Sequence, residues 1–174
     1  RRSSRRGRRA HRGGLGLSTR PGPFRRSTMA CTGIEFCKLA IVDTKDTAAR
    51  TVDELERRLA DVQEKLEEPI SLHVNGCPNS CARIQTADIG LKGQIITTAD
   101  GEQVPGFQVH LGGSLTDHTQ EQPQLGRTLR QHKVAASDLA DYVERVVRRF
   151  VDSREDGGES FAAWAHRADD EELR

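Results

Sequence analysis

Four cysteines, set in two widely separated pairs, constrain this 174-residue chain more than any other feature. Cys31 and Cys37 enclose five residues in CTGIEFC, and Cys77 and Cys81 enclose three in CPNSC. Any fold of the chain must supply two short loops of this kind. In a reducing compartment such thiols serve as ligands or redox groups rather than disulfides, and the chain lacks the character of a small disulfide scaffold. A cubane iron–sulfur cluster suits two loops of two ligands each, because four thiolates converge on one small body while nearby amides donate to its sulfides. A structural zinc could use the same residues, although zinc sites favour two to four residues between paired ligands and the five-residue gap suits them poorly. Cysteines buried in a core without metal are the third reading. Spacing alone leaves all three open.

The flanking sequence predicts a mixed α+β (or α/β) domain, a sheet covered by helices. Thr51-Val52-Asp53-Glu54 has the form of a capping box. Val52, Leu55, Leu59, Val62 and Leu66 follow at steps of three and four, which predicts an amphipathic helix ending before Pro69. Ile70 to Val74 alternates at the strand period and closes on the turn signal Asn75-Gly76. The next residues, Gly76-Cys77-Pro78, have the composition of a helix start, where the missing proline amide is no loss and free amides would favour an anion. The plainer reading is a tight turn. Two strands, Gln94 to Thr98 and Phe107 to Leu111, flank a turn containing Asp100-Gly101. Ser137 can cap a last long helix with the stripe Leu139, Tyr142, Val143, Val146, Val147 and Phe150, and Phe161, Trp164 and Ala165 mark a final helical turn. With 34% apolar and 4% aromatic residues, the core is modest for the length.

The formal charge of +1 conceals an asymmetry, since ten arginines precede the first acid, Glu35. Residues 1–14 have no apolar periodicity and nothing to offset the entropy of ordering, so disorder is expected there. Three origins compete for this segment: a nucleic-acid-binding tail, a transit-type leader, and sequence translated from an incomplete or out-of-frame gene start. The first residue, Arg1 rather than Met, favours the last. Arg20-Pro21-Gly22-Pro23-Phe24 reads as an extended lead-in to ordered structure. No apolar run approaches the eighteen or so residues of a membrane span, and no secretory signal core is visible. A soluble, cytoplasmic protein is expected.

CTGIEFC followed by NGCPNSC, with Ala87-Asp88-Ile89-Gly90 after it, closely resembles the ferredoxin-dependent sulfite and nitrite reductases that carry siroheme and a 4Fe-4S cluster. The likeness runs from about Leu15 to Arg174, so residues 15–174 correspond to the C-terminal siroheme- and cluster-binding part of such an enzyme. The resemblance implies that Cys31, Cys37, Cys77 and Cys81 hold the cluster and that Cys81 is also the axial thiolate of the siroheme. Asn79, between the second pair of ligands, and Asn75 are candidates to hydrogen-bond the cofactor edge, with ordinary turn chemistry as the competing role. The activity implied is assimilatory, six-electron reduction of sulfite to sulfide or nitrite to ammonia, with electrons from ferredoxin. No G-x-G-x-x-G fingerprint offers a dinucleotide instead. Catalytic residues cannot be named, because the family's substrate-binding Arg and Lys side chains come from sequence preceding these cysteines. A fragment lacking them is expected to be inactive alone. Arg83 and Lys92 follow Cys81 but read as solvated surface. Arg127, Arg130, His132 and Lys133 form a basic segment that could steer an acidic carrier, though a solvated loop accounts for it as well. The alternative from another class is a zinc-stabilised nucleic-acid-binding module whose basic tail contacts phosphates.

Overall fold

The computed structural model describes residues 18–66, 68–115, 123–155 and 158–174. The Arg-rich segment 1–14 lies outside them. Five strands form one sheet in the order β1 (Thr28–Ala30), β2 (Leu72–Asn75), β3 (Ile89–Thr97), β4 (Gln103–Leu111) and β5 (Arg127–Ala135). The first three are parallel and the last three antiparallel, which makes the sheet mixed, as the sequence predicts.

Helix α1 (Pro23–Ser27) precedes β1, and α2 (Lys45–Arg58) with the short α3 (Ala60–Gln63) makes the crossover to β2. Parallel neighbours need a long connection, so the chain leaving β1 must climb over the sheet before it can return as β2. The link from β2 to β3 is also a parallel crossover. It is built without an α-helix from the second cysteine turn and a 3-10 turn at Ile84–Thr86. Helices α4 (Leu139–Ser153) and α5 (Phe161–Arg167) close the domain.

The period-2 alternation of the strands decides which face is covered. Leu72, Val74, Ile89, Leu91, Phe107, Val109 and Leu111 are fully buried beneath the helices. They share one core with Val52 and Leu55 of α2, Leu59 after it, and Tyr142, Val143, Val146, Val147 and Phe150 of α4. Phe150, Phe161 and Trp164 pack as an aromatic triad with centroids 5.3 to 5.5 Å apart. Arg58 and Arg148 tie α2 and α3 to α4 through Glu54, Asp141, Glu144 and Asp61. No helix among the described residues is long and apolar enough to cross a membrane.

Several expectations need correcting. Helix α2 begins at Lys45, and Thr51 lies buried inside it rather than capping it. The first-turn side-chain acceptor is Asp43, whose Oδ2 receives the Thr47 amide at 2.8 Å and the Thr47 hydroxyl at 3.0 Å. The Pro-rich lead-in is helical from Pro23, where φ is preset and no amide is needed. No helix begins at Cys77, because Ser80 and Arg83 take positive φ values of 57° and 52° and break the turn. Ser137 makes no cap; it bonds Asp138 within a 3-10 turn. Arg127, Arg130, His132 and Lys133 belong to the edge strand β5, not to a loop.

Candidate metal centre

Both cysteine loops leave the carboxyl ends of adjacent parallel strands. Ala30 pairs with Val74 at the end of the β1–β2 ladder, and the next residue, Cys31, sends its amide to the Val74 carbonyl at 3.0 Å. Open α/β sheets gather ligands at this edge, because the loops of neighbouring parallel strands emerge side by side.

The first loop is a tight turn followed by a return leg. Gly33, with φ of +79°, accepts the Cys37 amide at 3.0 Å, and Ala40 donates to the Cys37 carbonyl at 3.1 Å. The chain then folds back, and the Ile41 amide donates to the Gly76 carbonyl at 2.7 Å. The same Gly76 donates its amide to Cys31 Sγ at 3.3 Å. One glycine thus locks the first loop to the second, and a side chain there would crowd its neighbours. A Cβ there would stand 3.0 Å from the Val42 carbonyl and 3.2 Å from the Ala40 Cβ and the Thr44 methyl.

Asn75 organises the second loop from inside the protein. It is fully buried, donates from Nδ2 to the Cys77 carbonyl at 2.6 Å, and accepts the Ala82 amide on Oδ1 at 2.9 Å. Ser80 adds a contact to Gln85 Oε1 at 2.5 Å and accepts the Ile84 amide at 3.2 Å. Cys77 is buried, Cys31 and Cys37 are half-buried, and Cys81 is exposed at the far end of the turn. All four are free thiols.

Thr44 joins the two loops and was not visible as a site residue in the sequence. It is completely buried; its hydroxyl donates to the Cys31 carbonyl at 2.9 Å and lies 3.8 Å from Cys31 Sγ. A threonine just before a helix normally caps it, but this hydroxyl is diverted to the cysteine loop and makes no cap bond. Gly33 and Gly76 leave room for it, but no linear pattern in the sequence links them to Thr44.

Asn75 therefore serves its own turn, with the two ends of its amide engaged by Cys77 and Ala82. Asn79 is exposed between the two cysteines of the second loop. Arg83 is exposed, with its carbonyl 3.1 Å from His73 Nδ1, and Lys92 is half-buried on the sheet face opposite the helices. On that same face burial, and to a lesser degree Lys92, hold His110 below its ordinary pKa. Ile34, Phe36, Leu39 and Ile41 leave exposed apolar surface around the first loop.

A single metal ion and a cluster make different demands on this donor set. At a Zn–S distance of about 2.3 Å, tetrahedral thiolates lie roughly 3.8 Å apart. Among the described residues no three His, Cys, Asp or Glu side chains are grouped to hold one ion. A cluster with its own sulfides also uses amide donors to sulfur, and the Gly76 contact to Cys31 is one such donor.

Residues 22–174 match the family model described as the nitrite and sulphite reductase 4Fe-4S domain. Ferredoxin sulfite reductase 1 of Mycolicibacterium paratuberculosis is 60% identical over 160 residues, covering 92% of this chain and 28% of that protein. Ferredoxin–nitrite reductase of Synechococcus elongatus is 36% identical over 137 residues, covering 77% of this chain and 24% of its own. The solved structure of the Mycobacterium tuberculosis NirA protein superposes with a TM-score of 0.86 at 54% identity, over 93% of this chain and 29% of that one. The chain spans less than a third of the length of the curated relatives it matches.

Proposed function

Because the chain belongs to the nitrite and sulphite reductase 4Fe-4S domain family, we propose that residues 15–174 form the cluster- and siroheme-binding unit of an assimilatory ferredoxin-dependent sulfite or nitrite reductase. The observation that carries this reading is the pairing of two cysteine loops at the carboxyl ends of β1 and β2, locked by the Gly76 amide on Cys31 Sγ. Nothing in the fold or the comparisons favours a zinc-stabilised nucleic-acid module.

In this reading Cys31, Cys37, Cys77 and Cys81 would hold a 4Fe-4S cluster, and Cys81 would also hold the siroheme. The cofactors would supply one-electron storage beside the iron at which sulfite or nitrite is reduced. The chain's own contribution is ligation and preorganisation. Asn75 fixes both ends of the second turn, so Cys77 is held inside while Cys81 is exposed, where a second group would reach it. That division of exposure is what a shared thiolate requires. Asn79 stands beside it as a donor to the cofactor edge. The exposed apolar rim at Ile34, Phe36 and Leu39 would be covered by the remainder of the reductase, which also supplies the anion-binding Arg and Lys residues.

Electrons would come from ferredoxin, in keeping with the names of the relatives, and the enzyme would work in the cytoplasm. Sulfite is the favoured substrate, since the more similar of the two relatives above is a sulfite reductase. The test is Cys81→Ser in the complete reductase. It should abolish magnetic coupling between siroheme and cluster while leaving the fold intact; normally coupled spectra would exclude Cys81 as the bridge.

A further inference from the structure

The diverted hydroxyl of Thr44 has a meaning beyond packing. Two polar groups among the described residues stand close to the Cys31 sulfur, one of them a donor to it and the other an acceptor from it. The Gly76 amide donates to Sγ at 3.3 Å, and the Thr44 hydroxyl lies at 3.8 Å. In the free thiol the sulfur can itself donate, and the Thr44 hydrogen goes to the Cys31 carbonyl at 2.9 Å. A ligating cysteine is a thiolate, which has lost that hydrogen and can only accept, so the Thr44 hydroxyl serves it by rotating its own hydrogen off the Cys31 carbonyl.

We infer that the buried Thr44 hydroxyl is a redox-positioning residue, which polarises the Cys31 thiolate jointly with the Gly76 amide and raises the reduction potential of the cluster it holds. This rests on the cluster reading proposed above. Hydrogen bonds to the sulfurs are among the established determinants of cluster potential. A hydrogen-bond donor to sulfur stabilises the reduced cluster more than the oxidised one, because the reduced form carries the additional negative charge. Burial amplifies the effect, since no water can replace the hydroxyl. Thr44 is 0% exposed. Its two ends also touch both loops: a Cβ on Gly33 would meet its Oγ1 at 2.6 Å, and a Cβ on Gly76 would meet its Cγ2 at 3.2 Å. The methyl sets the spacing of the loops, and the hydroxyl acts on the sulfur.

These two functions separate experimentally. Thr44→Val keeps the shape and removes the hydroxyl, Thr44→Ser keeps the hydroxyl and removes the methyl, and Thr44→Ala removes both. Each variant of the full chain is reconstituted anaerobically with iron and sulfide, assayed for iron and acid-labile sulfide, and titrated with EPR detection. The valine variant is expected to hold the same iron as the wild type with a more negative midpoint potential. The serine variant is expected to match the wild type. If valine is not accommodated, alanine gives the comparison and should show the same negative shift. An unchanged potential without the hydroxyl overturns the inference, as does a serine variant shifted as far as valine. A wild-type chain that takes up no cluster overturns the underlying reading instead, and iron analysis reveals this before any potential is measured.

Discussion

Asn75 donates to the Cys77 carbonyl at 2.6 Å from a fully buried position and accepts the Ala82 amide at 2.9 Å, so one side chain spans the turn that carries Cys77 and Cys81. Replacing it by leucine keeps most of its volume but strands a carbonyl and an amide without partners. Each unmade buried bond costs about 1–3 kcal/mol. Asn75→Leu should therefore lose roughly 2–5 kcal/mol in denaturant unfolding and weaken cluster retention. Asn79→Ala, at an exposed position, should change stability by less than about 0.5 kcal/mol. Equal losses at the two positions would remove Asn75 from its bracing role.

Two glycines should lose stability by very different amounts on substitution by alanine. At Gly90 a Cβ would lie 2.0 Å from the Ile84 carbonyl oxygen and 2.7 Å from its carbon, both backbone atoms of the turn after Cys81. Relief requires moving that turn off β3, so a loss of about 3 kcal/mol or more is expected. Gly101 has a φ of +83° in the β3–β4 hairpin but nothing within 4 Å, and its alanine variant should lose only about 1 kcal/mol. Thermal unfolding of the pair checks this, and a smaller loss at Gly90 than at Gly101 would contradict it.

Asp88 joins β2 to β3 by a reciprocal contact with Ser71. Its Oδ2 accepts the Ser71 amide at 2.8 Å and hydroxyl at 2.6 Å, and its own amide donates to Ser71 Oγ at 2.9 Å. Burial nevertheless raises its pKa above the ordinary 3.8, outweighing the hydrogen bonds from Ser71 that lower it. The folded chain then holds this proton to higher pH than the unfolded chain. Its contribution to stability is greatest below the ordinary carboxylate range and is lost as pH rises through the raised value. Stability measured from about pH 4 upward should fall relative to that of Asp88→Asn. A difference that is flat with pH, or of opposite slope, would contradict the raised value.

The parts of this fold that were legible in the sequence are those with a strong local period. The stripe from Leu139 to Phe150 in α4 and the Asp100-Gly101 hairpin are local, and both form as expected. The first half of α2 escaped notice because Thr47, Ala48 and Thr51, small or polar residues, face the core there. Strand β1 is three residues long and exists only through its pairing with β2, more than forty residues later. Strand β5 has Leu129 and Val134 as its buried residues and is interrupted by an irregularity at Gln131, whose φ is +60°, so its alternation is lost. At the site, cysteine spacing identified the candidate ligands, whereas Thr44 was hidden. Its role depends on a close approach to Gly33 and Gly76 that no linear pattern records.

Metal and sulfide analysis of the chain after anaerobic reconstitution tests the central claim most directly. A brown protein with about four iron and four acid-labile sulfide per chain, lost on Cys→Ser substitution at position 31, 37, 77 or 81, is the result expected of a 4Fe-4S ligand set. A colourless protein holding one zinc and no sulfide would contradict it.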